Sequence, residues 1–148
     1  MNNFDDQIEL KGAEMYSWTK DLFPICRSIT GQGVRDTLQY FKSMLPALKV
    51  FEVESGTKVF DWEVPDEWSV SEAYIADENG NKVIDFKNNN LHLIGYSETV
   101  DEWLDLDRLQ ERLHSLPDQP DAIPYITSYY KKTWGFCISH NERELLKS

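Results

Sequence analysis

The chain has 148 residues, 41% hydrophobic and 13% aromatic, which is enough for one sizeable core or two small lobes and too apolar for a disordered tail. Fifteen Lys and Arg stand against 26 Asp and Glu, a net charge of −11 spread along the chain, and that balance excludes the basic surface that nucleic-acid phosphates call for. No stretch approaches the roughly 20 apolar residues of a membrane span, and MNNFDDQIELKG lacks the basic and apolar regions of a signal peptide, so neither nucleic acid nor membrane is an expected partner and a cytoplasmic location is expected.

Ile8, Met15, Trp18 and Leu22 recur at helical spacing, which predicts an amphipathic helix from about Asp6 to Leu22, stopped by Pro24 and weakened at Gly12. A loop follows, and Val34, Leu38, Phe41 and Leu45 predict a second helix ending near Pro46, with Thr30 or Gly31 as its cap. From Leu48 the period becomes two. Val50 to Glu54 and Thr57 to Val64 read as a hairpin turning at Ser55-Gly56, with Phe60, Trp62 and Val64 on one face. Ala73 to Ala76 and Lys82 to Phe86 read as a second hairpin, whose Asn79-Gly80 pair suits the positive φ of a tight turn. A strand is expected at Leu91 to Ser97 and a short helix from Asp105 carrying Leu106, Leu109 and Leu113.

Pro117, Pro120 and Pro124 then fix an extended connector, since proline locks its own φ and pushes the preceding residue out of the α region. Tyr129, Tyr130, Trp134, Phe136, Cys137 and Ile138 follow as a strand-forming run broken by Gly135, and Ser139 or Asn141 could cap a last short helix.

Chemistry is sparse. His92, His114 and His140 are the only histidines, and none sits in a zinc-binding spacing, so no metal ligands and no catalytic residues are assigned. Cys137 and His140 stand three apart, which on a strand points them to opposite faces. Cys26 and Cys137 are expected as buried thiols of a reducing compartment, a disulfide or a catalytic role being the alternatives. The best candidate site is the loop Arg27 to Arg35. Arg27, Ser28, Thr30, Gly31, Gly33 and Arg35 gather there before a helix N-terminus, where free N–H groups and the helix dipole favour an anion. The competing reading pairs Arg27 or Arg35 with one of the acidic side chains. Trp62-Glu-Val-Pro-Asp-Glu-Trp68 could suggest a sugar platform, but two rings closing the core of a small β domain is the favoured reading.

LFPICRSITGQGVRDTL, DWEVPDEWSVSEAYIADENGNKVIDF, the asparagine loop with LHLIGYS, and LHSLPDQPDAIPYITSYYKKTWGFCISHNE resemble, in order and over nearly the whole chain, the N-terminal part of aminopeptidase-like proteins of bacterial surface-polysaccharide biosynthesis. The resemblance implies an α+β arrangement in which residues 1–48 are helices of an α/β zinc-exopeptidase layer. Residues 49–135 would then be an inserted β-rich domain with one short helix, and residues 136–148 a strand and helix re-entering the layer. It also implies zinc in a full-length member, held by residues beyond Ser148, and a small peptide or aminoacyl substrate shaped or covered by this part. The chain is then expected to pack on a C-terminal peptidase-like region or to self-associate. The alternative is a non-catalytic binding or interaction module of the same biosynthetic setting.

Overall fold

Helix α1 runs Asn3–Leu22 and ends just before Pro24, as the spacing predicts. The computed structural model describes residues 3–27 and 29–147, and the chain divides into two compact units, Met1–Ser69 and Val70–Ser148.

In the first unit, α1 is followed by α2, Gln32–Met44, whose N-cap is Gly31 at φ 91°. Among the described residues no side chain caps that end. Thr30, the other expected cap, instead accepts a hydrogen bond at its hydroxyl from the Trp68 N–H, 3.4 Å away. The apolar stripe of α1 forms but stays largely uncovered: Ile8, Leu10, Met15 and Tyr16 are exposed, Trp18 is half-buried and only Leu22 is buried.

The first hairpin differs from the sequence reading. Strand β1 (Lys58–Val59) pairs antiparallel with β2 (Trp62–Glu63), so the paired strands reverse at Phe60-Asp61, while Ser55-Gly56 forms the expected turn just ahead of them. Residues 50–54 are not a strand. Gly56, at φ 82°, donates to the Val64 carbonyl, and Val64 donates back to Thr57. Those bonds fold 57–64 on itself and leave 50–54 without a strand partner; period-two spacing cannot tell which of two nearby turns closes the pair. Phe60 therefore stands at a turn tip, fully exposed, and Trp62 is exposed too, so neither closes a core.

The second unit holds the core. Strand β3 (Tyr74–Ala76) and strand β4 (Lys82–Asp85) form the expected hairpin, with Gly80 at φ 83° in its turn. The Asp77 carboxylate accepts from the Asn81 side chain and from the N–H groups of Asn81 and Asn79, which holds its pKa below the usual carboxylate range. The strand expected at 91–97 is replaced by a 3₁₀ turn, Asn90–His92, because the Asn89 side chain accepts from the Leu91 N–H and starts a helical turn there; Leu93 and Gly95 then make single bridges, to Phe136 and Thr127. Helix α3 (Leu106–Gln110) starts where Asp105 caps the Arg108 N–H, but it stops before Leu113. Leu113 and His114 form strand β5, which pairs parallel with β6 (Phe136–Cys137).

Tyr129 to Trp134 lie outside any strand, so the long run expected there is reduced to β6. A Cβ on Gly135 would meet the Ile94 methyl at 2.6 Å and the Arg112 carbonyl at 2.9 Å, and a side-chain-free residue is what lets β6 lie this close to its neighbours. Ile84, Leu113, Phe136 and Ile138 form the buried cluster, with Leu109, Trp134 and Leu146 packed on it. The last helix, α4 (His140–Leu145), begins with a capping box in which Ser139 and Glu142 satisfy each other's N–H groups. Among the described residues no helix is long and apolar enough to cross a membrane.

Candidate functional site

Three polar constellations compete. The first is the predicted loop before α2. Arg27 donates to the carbonyl of Leu22 and so caps the C-terminal end of α1, while Arg35 forms a two-pronged pair with Glu67, the longer contact being 3.2 Å, with Glu52 at 4.0 Å. That pair raises the Arg35 pKa. The two arginines thus serve different partners and do not frame one point. The glycines serve packing: a Cβ on Gly33 would sit 1.9 Å from the Cys26 carbonyl oxygen, and one on Gly31 2.5 Å from that of Trp68. Ser28 lies outside the described residues.

The second constellation lies where α3, β5 and α4 meet. Arg143 donates through Nε to the Gln110 side-chain oxygen at 2.8 Å and through Nη2 to the Gln110 carbonyl at 2.9 Å. His140 Nδ1 and the Ser115 hydroxyl are 3.0 Å apart, and His140 Nε2 is 3.8 Å from Glu144. A serine, a histidine and a carboxylate in line suggest nucleophile activation. Glu144, however, is held by Lys147, and the wider Arg143 contacts tie helix ends together, so the cluster reads as a staple of the fold. Next to it, burial and then the Arg143 charge lower the His114 pKa from its ordinary value. Cys137 is fully buried, which pushes its thiol up to about 11, far from the thiolate a nucleophile needs. His140 starts a helix rather than continuing the strand of Cys137, and His92 Nδ1 contacts the Cys137 carbonyl at 2.9 Å.

The third, unforeseen from sequence, is a tyrosine cluster. Ile94 to Ser97 make a turn closed by Ser97 N–H to the Ile94 carbonyl at 3.1 Å, and Tyr96 occupies its third position at φ 65°. A type II turn normally gives that position to glycine, yet the neighbouring Gly95 keeps a negative φ. A bulky residue in the left-handed region costs on the order of 1–3 kcal/mol, and such strain collects at functional sites. Ser128 to Lys131 form a second turn, docked on the first because Ser128 N–H and hydroxyl both donate to the Gly95 carbonyl. The two turns bring Tyr129 edge-on to Tyr96 (centroids 4.9 Å) and to Tyr130 (4.6 Å). The Tyr129 hydroxyl is closed off and makes no hydrogen bond among the described residues, and burial raises its pKa. Tyr130 is 84% exposed. The one signal in the sequence was aromatic density; nothing in it paired Tyr96 with residues more than thirty positions away.

Among the described residues no three His, Cys, Asp or Glu side chains gather in a group that could hold a metal ion.

Residues 67–148 match the family described as Domain of unknown function (DUF2172). A Clostridium acetobutylicum protein described as a polysaccharide biosynthesis protein with aminopeptidase-like domain is 49% identical over 142 residues, 96% of this chain and 32% of that protein. A crystal structure of a Clostridium acetobutylicum protein described as a peptidase has a TM-score of 0.87 at 51% identity, over 90% of this chain and 32% of that one. The chain therefore spans less than two thirds of each relative's length.

Proposed function

From the premise that the chain belongs to the family described as Domain of unknown function (DUF2172), we propose that it acts as the N-terminal part of a metal-dependent aminopeptidase-like hydrolase of surface-polysaccharide biosynthesis, shaping or covering the substrate site while other residues hold the metal. The observation that carries this reading is the first unit's apolar surface. Leu22 is the one large apolar side chain buried there among the described residues, while Ile8, Leu10, Met15, Tyr16, Val50, Phe51, Val53 and Phe60 are exposed. Apolar surface on this scale marks an interaction face. The chain spans 32% of each relative, and in this reading the remainder holds the peptidase-like region that covers this face.

The division into a peptidase-like layer over 1–48, an insert over 49–135 and a returning segment over 136–148 belongs to the same proposal. Phe136 and Ile138 share a core with Ile84 and Leu113, so in this reading the seam runs through β6. Zinc in the complete hydrolase, a small peptide or aminoacyl substrate and a cytoplasmic setting are further parts of it. Cys26 and Cys137 are free thiols.

The test is to mix this chain with the portion of the Clostridium acetobutylicum relative that it does not match, and to follow sedimentation and hydrogen exchange. A 1:1 complex with new protection along α1 and residues 50–60 is expected. A chain that remains alone, or protects those residues only by pairing with itself, overturns the reading.

A further inference from the structure

We propose that Tyr96, Tyr129 and Tyr130 form a subsite for a pyranose sugar ring, in which the sugar stacks on Tyr130 and one of its hydroxyls exchanges hydrogen bonds with the Tyr129 hydroxyl. The proposal goes beyond the hydrolase reading, since it needs neither a metal nor another part of a longer polypeptide.

Three independent observations converge. The backbone holds Tyr96 at φ 65° beside a glycine that does not take the left-handed position, so the ring is placed there against the local preference of the chain. The Tyr129 hydroxyl is shut in without a hydrogen-bond partner among the described residues, although buried hydroxyls are nearly always satisfied. Tyr130 stands edge-on to Tyr129 with 84% of its surface exposed, so an open aromatic face lies beside the ring that carries the unsatisfied hydroxyl.

The chemistry selects the ligand. A phenol hydroxyl both donates and accepts, and a sugar hydroxyl answers both roles, whereas a carboxylate only accepts and an ammonium only donates. Tyrosine offers an apolar ring with a polar tip, the combination that meets the C–H face and rim hydroxyls of a pyranose together. Lys131 and Lys132, both exposed, directly follow Tyr130 and add like charge to this stretch, which disfavours an ammonium ligand.

The test is an NMR titration of the chain as it stands with methyl α-D-glucopyranoside and with D-glucuronate, choline serving as the cationic control, alongside Tyr129→Phe and Tyr130→Ala. Expected are saturable shifts at Tyr96, Tyr129 and Tyr130 with at least one sugar, none with choline, and a weakening of about tenfold in each variant, the scale of one hydrogen bond. Because Tyr129→Phe keeps the ring and removes only the unsatisfied hydroxyl, its urea midpoint is expected to match or exceed that of the unaltered chain. A lowered midpoint in Tyr129→Phe makes the hydroxyl a structural group and overturns the proposal. So do sugar binding unchanged in both variants, binding of choline in place of sugar, and no saturable shift with any probe. None of these outcomes touches the complex-formation test, so the two readings fail separately.

Discussion

Gly33 shows how a residue that reads as loop flexibility acts as a spacer. Its Cα lies so close to the Cys26 carbonyl that an added methyl would overlap a backbone atom, which cannot swing aside. Gly33→Ala is expected to cost about 2–4 kcal/mol in urea denaturation, the range for forced overpacking and backbone displacement. Cys137 makes the opposite point about a residue that reads as reactive. With its thiol pushed to about 11 inside the core, it should resist a thiol reagent at pH 8 in a Cys26→Ser background and react only once the chain is unfolded; prompt labelling of folded protein would refute the burial argument. His114 carries the pH dependence. Its folded pKa is lowered by burial and by Arg143, so the unfolded state binds the proton more readily. The stability from the neutral ring is complete above the unfolded value of about 6.5 and declines as pH falls below it. The urea midpoint should drop as pH falls below about 6.5, and His114→Gln should flatten that slope.

At the scale of elements, the ends matter more than the middles. Helix α4 has only His140–Leu145, too short to persist on its own, and the reciprocal Ser139–Glu142 cap together with the Arg143 contacts to Gln110 holds it in place. Ser139→Ala should cost about 1–2 kcal/mol, at the upper part of the range for N-caps because Ser139 is also buried, and should raise amide exchange in α4 before the β3–β4 hairpin is affected. The β1–β2 hairpin has no such support. Both strands are two residues long and exposed throughout, and an isolated two-stranded ribbon is marginal in water.

Across the whole molecule, burial is unequal between the two units, each taken by itself. Phe136, Cys137, Ile138 and Ser139 are consecutive buried residues in the second unit, whereas every residue from 49 to 63 in the first is exposed. Native-state hydrogen exchange should therefore give the amides of Phe136 and Ile138, bonded to Arg112 and His114 carbonyls, the slowest exchange, and those of β1 and β2 among the fastest. Comparable protection in both places would contradict the burial pattern. The same inequality leaves the first unit's apolar side chains available for the covering region proposed above.

By itself the sequence determined what depends on neighbours within a few positions. Helical spacing placed α1 and α2, Pro24 set where the first must stop, Asn79-Gly80 set the second hairpin, Ser139 was one of two candidate caps for α4, and the four long motifs carried the resemblance to aminopeptidase-like proteins. The α+β class followed from those elements. Tertiary structure decided whatever depended on a distant partner. Arg35 found Glu67, Leu113 left its expected helix to pair with Phe136, and the strand expected at 91–97 broke into bridges because the Asn89 cap started a turn there. The first hairpin moved because both turns form and the Gly56 and Thr57 bonds to Val64 fold the segment around the second, Phe60-Asp61. Tyr96 and Tyr129 are joined through the Gly95 carbonyl and Ser128, a link between two loops that no periodicity encodes. Local patterns fix dihedral preferences and face; which faces meet is set by the free energy of packing over the whole chain, and a one-dimensional reading does not contain it.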